Sequence, residues 1–249
     1  MNKITSRENS VVKAVVKLIK SREERQHCGL FVCEGSVMLN EAIACGAYID
    51  KVFVTSGIKL PSLPKQAEIF EITEAVLEKI SDVKSPQGIV FTCRMPDNSL
   101  ISGERIIALE NVSDPGNVGT IIRTADAFDI DCVVFIGSCA DIYSPKTVRS
   151  SMGSVFRVKT CVMGLDEFFD AASRLKLPVY AAALTEKAVG IKDAELSVAA
   201  VMIGNEASGL SSEALDKCDK HVIIPISGIQ SLNAAIAASI FMFEMSAHK

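Results

Sequence analysis

The sequence predicts an α/β protein, with a parallel sheet in its carboxyl-terminal part and a smaller α/β unit in front of it. Three observations carry that expectation. From residue 105 onward, short and almost continuously apolar runs alternate with helix-like stretches, the pattern of a parallel sheet covered on both faces. Before Cys93 the same alternation occurs on a smaller scale. Between the two, "RMPDNSLISGE" (94–104) is rich in turn formers and has little to bury, so it reads as a connection. The expected division is 1–95, a linker at 96–104, and 105–249, with the two units folding independently.

The elements follow in order. Val11, Val12, Val15, Val16, Leu18 and Ile19 recur at helical spacing between Ser6 and Lys20. "LFVCEG", "DKVFVT", "EIFEIT" and "QGIVFTC" read as strands. "SVMLNEAIAC" and "TEAVLEKI" read as helices, the second opened by Thr73 as an N-cap. In the second unit the strand candidates are 105–110, 132–137, 155–160, 178–184, 198–204 and 221–226. "NVGTIIRTADAF" and "LDEFFDAASRL" are helices, and the last helix, from Ser231 to Met245, is apolar or small on nearly every side. Such a helix is expected to be buried all round, and its small faces suit the core of a two-fold dimer.

Bulk properties narrow the function class. Apolar residues make up 49% and charged residues 22% of the 249, a globular composition. No apolar run approaches the roughly 20 residues of a membrane helix, and the amino terminus has scattered charges and no apolar signal core. The eight cysteines form no C-x-x-C pair, and only three histidines accompany them, so no metal pattern is present. Buried reduced thiols in a cytoplasmic protein are the expectation. Net charge is −4, yet residues 1–30 hold seven Lys/Arg against three Glu, while 101–249 hold 13 against 18 acidic residues. A basic front on an acidic body permits contact with nucleic acid through the front.

Three stretches carry candidate chemistry. In "LENVSDPGNVGTIIRTADAF" (109–128) a strand ends at Glu110 and a turn leads into a helix near Asn117. That is where open α/β sheets place ligand contacts. Arg123 shares a helix face with Gly119. The stretch has only G-x-x-G, short of the dinucleotide fingerprint. In "VMIGNEASGLSSEAL" (201–215) an apolar strand stops at Gly204, Glu206 follows in the loop, and Ser211 or Ser212 caps a helix. In "IPISGIQSLNAAIAASIFMF" (224–243) Ser231 and Asn233 stand at the mouth of a segment built for burial. Buried polar groups without partners cost about 1–3 kcal/mol, so these two are satisfied by backbone or face a ligand.

In this order, N-x-x-D-P-x-N-x-G-x-x-x-R, I-G-N-E-x-x-G-L and I-P-x-x-G-x-x-S-L-N resemble the three motifs of the SpoU-type (TrmH-like) RNA ribose 2′-O-methyltransferases of the SPOUT superfamily. "YSPKTVRSSMGSVFRV" (143–158) is similar to that family's Ser-Pro…Arg-x-Ser-x-Gly segment. The amino-terminal half resembles the family's small ribosomal-protein-like substrate-binding domain. Two positions depart from the family pattern, Asp129 after Phe128 and Gln230 before Ser231.

The resemblance implies a deep trefoil knot in the carboxyl-terminal domain and a homodimer. It also implies S-adenosylmethionine as cofactor, held near Leu184, Gly204, Ile224 and Leu232, with Gly204 letting the backbone come close. It places Asn117, Arg123, Glu206, Ser231 and Asn233 in the catalytic site. Arg123 then anchors phosphate and stabilises developing alkoxide charge, because guanidinium stays protonated in proteins. The proton acceptor is left open. Arg149 and Ser151 are expected over the substrate, and Lys17, Arg22 and Arg25 of the basic front on RNA phosphates. Ribosomal RNA is favoured as substrate over transfer RNA, with a silent RNA-binding protein or a dinucleotide-dependent enzyme as competing classes. No metal or membrane partner is expected.

Overall fold

A computed structural model of the chain describes residues 2–97, 100–228 and 231–247. Asn98 and Ser99 of the expected linker, and Gln230, lie outside them. The described residues form two compact units, Met1–Asp97 with Asp141–Phe156, and Asn98–Ala140 with Arg157–Lys249.

In the first unit β1 (Asn2–Ile4) leads to α1 (Ser10–Lys20), capped by Asn9, whose Oδ1 accepts the Val11 amide at 2.8 Å. Ser21 then caps a separate helix, α2 (Arg22–Cys28), which ends on Gly29 at φ +63°. Next come β2 (Leu30–Glu34), α3 (Ser36–Ala44), β3 (Ile49–Thr55), β4 (Glu68–Ile72), α4 (Glu74–Ile80) and β5 (Ile89–Arg94). Thr73 caps α4 as its sequence position implies. The strands form a mixed sheet in the order β1-β4-β3-β5-β2. Val12, Val15 and Leu18 of α1 and Val76, Leu77 and Ile80 of α4 pack with Phe53, Phe70 and Val90 of the sheet.

The second unit opens with β6 (Arg105–Glu110), α5 (Pro115–Ala127) and β7 (Cys132–Ile136). The chain then contributes α6 (Pro145–Ser150) to the first unit. It continues with β8 (Thr160–Met163), α7 (Leu165–Arg174), β9 (Val179–Ala182), the short β10 (Val189–Gly190), β11 (Ala199–Ile203), α8 (Ser212–Lys217), β12 (Lys220–Ile223) and α9 (Ala234–Ser246). Seven parallel strands lie in the order β10-β12-β9-β11-β6-β7-β8. Ile106, Ala108, Val134, Met202 and Phe168 lie in the core on one face of the sheet.

Four expectations change. The strand expected at 155–160 starts only at Thr160, because Ser154–Phe156 forms a 3-10 turn that belongs to the first unit. Residues 141–156 sit inside the expected 105–249 domain in sequence but pack with the first unit, where Tyr143 lies 4.8 Å and Phe156 5.9 Å from the Phe31 ring. The last helix begins at Ala234 rather than Ser231, since Asn233 is its cap. It is also not buried all round within this chain, because Ile236 and Phe243 are each 53% exposed. Of the thiols, Cys33, Cys93, Cys132, Cys139 and Cys161 are buried, Cys45 and Cys218 partly so, and Cys28 is exposed; none of them is in a disulfide.

Candidate active site

All strands of the second sheet run parallel, so the loops after β6, β11, β9 and β12 leave along one edge. The loop after β6 is set by Asn111, which takes a left-handed conformation (φ +56°) and accepts the Ser138 amide on its Oδ1 at 2.7 Å. Asp114 then caps α5, its Oδ1 receiving the amides of Gly116 at 2.7 Å and Asn117 at 2.9 Å, with Pro115 preset for the first turn. This cap starts α5 at Pro115, two residues before the sequence expectation, and places Asn117 in its first turn.

The loop after β11 is tied to the first by Asn205, whose Nδ2 donates to the Asn111 carbonyl at 2.9 Å. Asn205 Oδ1 accepts the amides of Ala207 and Ser208, and its backbone pairs with Gly209. Glu206 is thereby held towards α5. Its Oε1 accepts Asn117 Nδ2 at 2.6 Å, and Asn117 Oδ1 in turn accepts Asn233 Nδ2 at 3.1 Å. Asn233 Oδ1 caps α9 through the amides of Ala235 and Ile236. One chain of hydrogen bonds therefore joins the three loops and fixes which way the Asn117 amide points.

Beneath it, buried Glu110 accepts the Ser211 amide at 2.8 Å and its hydroxyl at 2.7 Å. That contact seats the start of α8. Asn111 and Asn205 were inside the quoted motifs but were not singled out. Their signal is an Asn within two residues of each strand's end, a residue whose side chain readily bonds the backbone of a turn.

No group of three His, Cys, Asp or Glu that could hold a metal occurs among the described residues, and no helix among them is long and apolar enough to cross a membrane.

Comparison with known proteins decides the family. Residues 104–243 match the SpoU rRNA Methylase family, and residues 9–90 match the MRM3-like substrate binding domain. The chain belongs to the SpoU rRNA methylase family. A relative from Bacillus subtilis (strain 168), a 23S rRNA (guanosine(2553)-2′-O)-methyltransferase, RlmP, is 31% identical over 247 residues, which is 98% of this chain and 99% of that one. The crystal structure of an AdoMet-bound rRNA methyltransferase from Sinorhizobium meliloti matches with a TM-score of 0.87 at 29% identity, covering 99% of this chain and 98% of that one. The SpoU methyltransferase AviRb from Streptomyces viridochromogenes, in complex with AdoMet, matches with a TM-score of 0.83 at 25% identity, covering 97% and 98%.

Within the SpoU domain the remaining expected residues lie outside that chain of hydrogen bonds. Arg123 is exposed on α5, about 9 Å further along the helix than Asn117, and takes no part in the hydrogen-bonded chain. Ser231 is exposed two residues before the α9 cap. Leu184 follows β9 and is 75% exposed, Ile224 follows β12 half-buried, and Leu232 is half-buried. Gly204 has a different reason from the expected approach of a ligand. A Cβ there would lie 2.2 Å from the Gly209 carbonyl carbon and 2.3 Å from the Leu210 amide nitrogen, so the chain's own returning loop occupies the space. Gly204→Ala is expected to destabilise the unit by about 1–3 kcal/mol through overpacking and to displace Glu206 from Asn117. Thermal melting against the wild type checks this.

In the substrate-binding unit two expectations fail on burial. Arg25 is only 4% exposed, and its guanidinium is consumed by Asp141 Oδ2 (2.9 Å from Nε) and the carbonyls of Leu18 and Ile19. It is a structural clamp, not a phosphate contact. Ser151 is fully buried, its hydroxyl donating to the Val148 carbonyl at 2.7 Å. Lys17 and Arg22 are exposed as expected, and Arg149 is half-exposed beside Asp82, with Nη1 3.3 Å from Oδ2.

Proposed function

We propose that the chain is an S-adenosylmethionine-dependent RNA ribose 2′-O-methyltransferase acting on ribosomal RNA. The observation that carries this reading is the Asn233–Asn117–Glu206 chain of hydrogen bonds, which assembles one polar group from each of the three family motifs at one sheet edge. The apolar Leu184 and Ile226 are exposed at the ends of neighbouring strands β9 and β12, which fits the faces of an adenine ring better than it fits water. Leu184, Ile224 and Leu232 are the residues assigned to hold the cofactor, which supplies an activated methyl group on a positively charged sulfur.

The chemistry required of the protein is to orient a ribose hydroxyl in line with that methyl and to remove its proton. Asn117, with its amide fixed on both sides, is placed to orient. Glu206 Oε2 has no partner among the described residues, and its carboxylate is the one group of the triad able to accept the proton. Arg123 stays charged, anchors the phosphate next to the reacting ribose and steadies the developing alkoxide. Ser231 lines the same mouth, and Arg149 meets RNA from the substrate-binding unit, as do Lys17 and Arg22.

The carboxyl-terminal segment is read as threaded through a deep trefoil knot. Membership of the SpoU family supports this reading. The protein is read as a cytoplasmic homodimer built on α9, where Ile236 and Phe243 are exposed and Phe128 packs edge-on against Phe243 at 5.8 Å. Phe243→Glu is therefore expected to give a monomer in light scattering where the wild type is a dimer. Ala238 of the same helix is instead fully buried in the chain's own core.

The function is tested by incubating purified protein with methyl-labelled S-adenosylmethionine and ribosomal or transfer RNA, then mapping label to ribose positions protected from alkaline cleavage. Label in ribosomal RNA at one protected position is expected. Label in neither RNA, or in transfer RNA alone, would overturn the reading.

A further inference from the structure

The first unit has a cleft of about 280 Å³ between α1, α2 and the ends of β2, β3 and β5. Its walls are apolar, from Val11 and Ala14 of α1 and Leu30 of β2. Two carboxylates also line it, Glu24 and Asp50, together with Lys51. A bulge between Ile49 and Lys51 of β3 turns Asp50 and Lys51 into this region. Asp50 Oδ2 is occupied by Lys51 Nζ at 2.9 Å and by the Thr92 hydroxyl at 3.2 Å, whereas no hydrogen bond from the described residues reaches Oδ1. Among the described residues, Glu24 Oε1 faces only the weak Cys28 thiol donor at 3.8 Å.

The volume lies just below the roughly 300 Å³ at which small-molecule sites begin. It suits one planar ring system rather than a whole nucleotide. We propose that this cleft takes one unstacked guanine base of the RNA substrate, its N1–H and N2–H donors held by the Glu24 and Asp50 carboxylates and its O6 by Lys51. The proposal rests on the RNA-methyltransferase reading and adds a base-specific subsite to the substrate-binding unit.

The choice of base follows from hydrogen-bond chemistry. Ionised carboxylates only accept. Guanine presents two adjacent donors beside one acceptor on its pairing edge, while the other three bases interleave or lack such donors. Sequence-specific RNA recognition reads unstacked bases on such edges, and apolar walls suit their faces.

The surroundings favour RNA over a basic protein side chain. Lys17 is exposed one turn beyond Ala14 on α1, and Lys13 and Lys20 are exposed on the same helix. At the adjoining sheet end, Arg94, paired with Leu30 across the strands, stacks 4.2 Å over the Tyr48 ring. Cations and an aromatic ring beside an apolar cleft are the parts that bind single-stranded nucleic acid.

The test uses the full chain and fluorescein-labelled heptauridylates carrying a central guanosine, inosine or adenosine, read by anisotropy. Inosine lacks the exocyclic amine. The wild type should bind the guanosine oligomer about tenfold more tightly than the inosine one, the size of a good base-edge contact. Ala14→Trp, at an exposed position, should fill the cleft and bring the ratio to one, and so should Asp50→Asn. Glu24→Gln, which leaves the Asp50–Lys51–Thr92 group intact, should lower it as well. S-adenosylmethionine binding, by calorimetry, should be unchanged in all three.

Equal wild-type affinity for guanosine and inosine oligomers would overturn the proposal, as would a preference that survives Ala14→Trp. Displacement of the oligomer by N-acetylargininamide but not by guanosine monophosphate would also overturn it, by assigning the cleft to a basic side chain of a protein. Guanine preference without methyl transfer to ribosomal RNA would sink the functional reading and leave the cleft standing. Methyl transfer without the preference would do the reverse.

Discussion

Replacing Arg123 by Ala is expected to lower kcat for methyl transfer by about 100- to 1,000-fold, the cost of removing one preorganised group that meets charge developing in the transition state. The affinity for S-adenosylmethionine should stay within about twofold of wild type. That separation follows from position: Arg123 is exposed on α5, outside the hydrogen bonds that order the three loops, so its loss leaves the loops in place. Single-turnover kinetics with labelled cofactor and the mapped RNA substrate, together with calorimetry, separate the two quantities. Asn117→Ala is the informative contrast. It cuts the link between Glu206 and Asn233, so it should lower activity and loosen the loops together. Wild-type turnover in the Arg123 variant would remove it from the site.

Replacing Arg25 by Ala is expected to destabilise the first unit by about 3–5 kcal/mol, because it strands the Asp141 carboxylate and two carbonyls in a buried place. The paired change Arg25→Met with Asp141→Leu should recover most of that loss, since an apolar pair of similar volume replaces a buried ion pair at little or no cost. Urea unfolding of the full chain, followed by amide exchange in α1 and α2, reports the unit concerned. Arg25→Ala should also accelerate exchange in 141–156, although those residues are more than a hundred positions away in sequence. A variant with unaltered exchange there would show that the clamp contributes nothing.

The family, the sheet and most of its strands were legible in the residues themselves. β6 occupies the expected 105–110, and the apolar runs at 132–137 and 198–204 became central strands, because a strand buried on both faces must be apolar along its whole length. Caps were equally local: Thr73 and Ser211 each accept an amide within their own turn. The meeting of Asn117, Glu206 and Asn233 was foreseen only as a clustering of three motifs. Which atoms bond to which depended on Asn111 and Asn205, whose partners lie in other loops.

What the sequence alone could not show is how a charge is used. Lys17, Arg22 and Arg25 look alike on a basic front, yet two are exposed and one is buried against Asp141. Gly204 reads as an opening for a ligand until Gly209 and Leu210 are seen to fill it. The Asp141–Phe156 segment carries a motif of one unit and packs in the other. Local patterning by itself determined the elements, the order of the motifs and hence the family, because periodicity, capping and loop chemistry act within a few residues. Only the tertiary structure decided which polar groups are consumed and which stay available, because that depends on desolvation by partners far away along the chain.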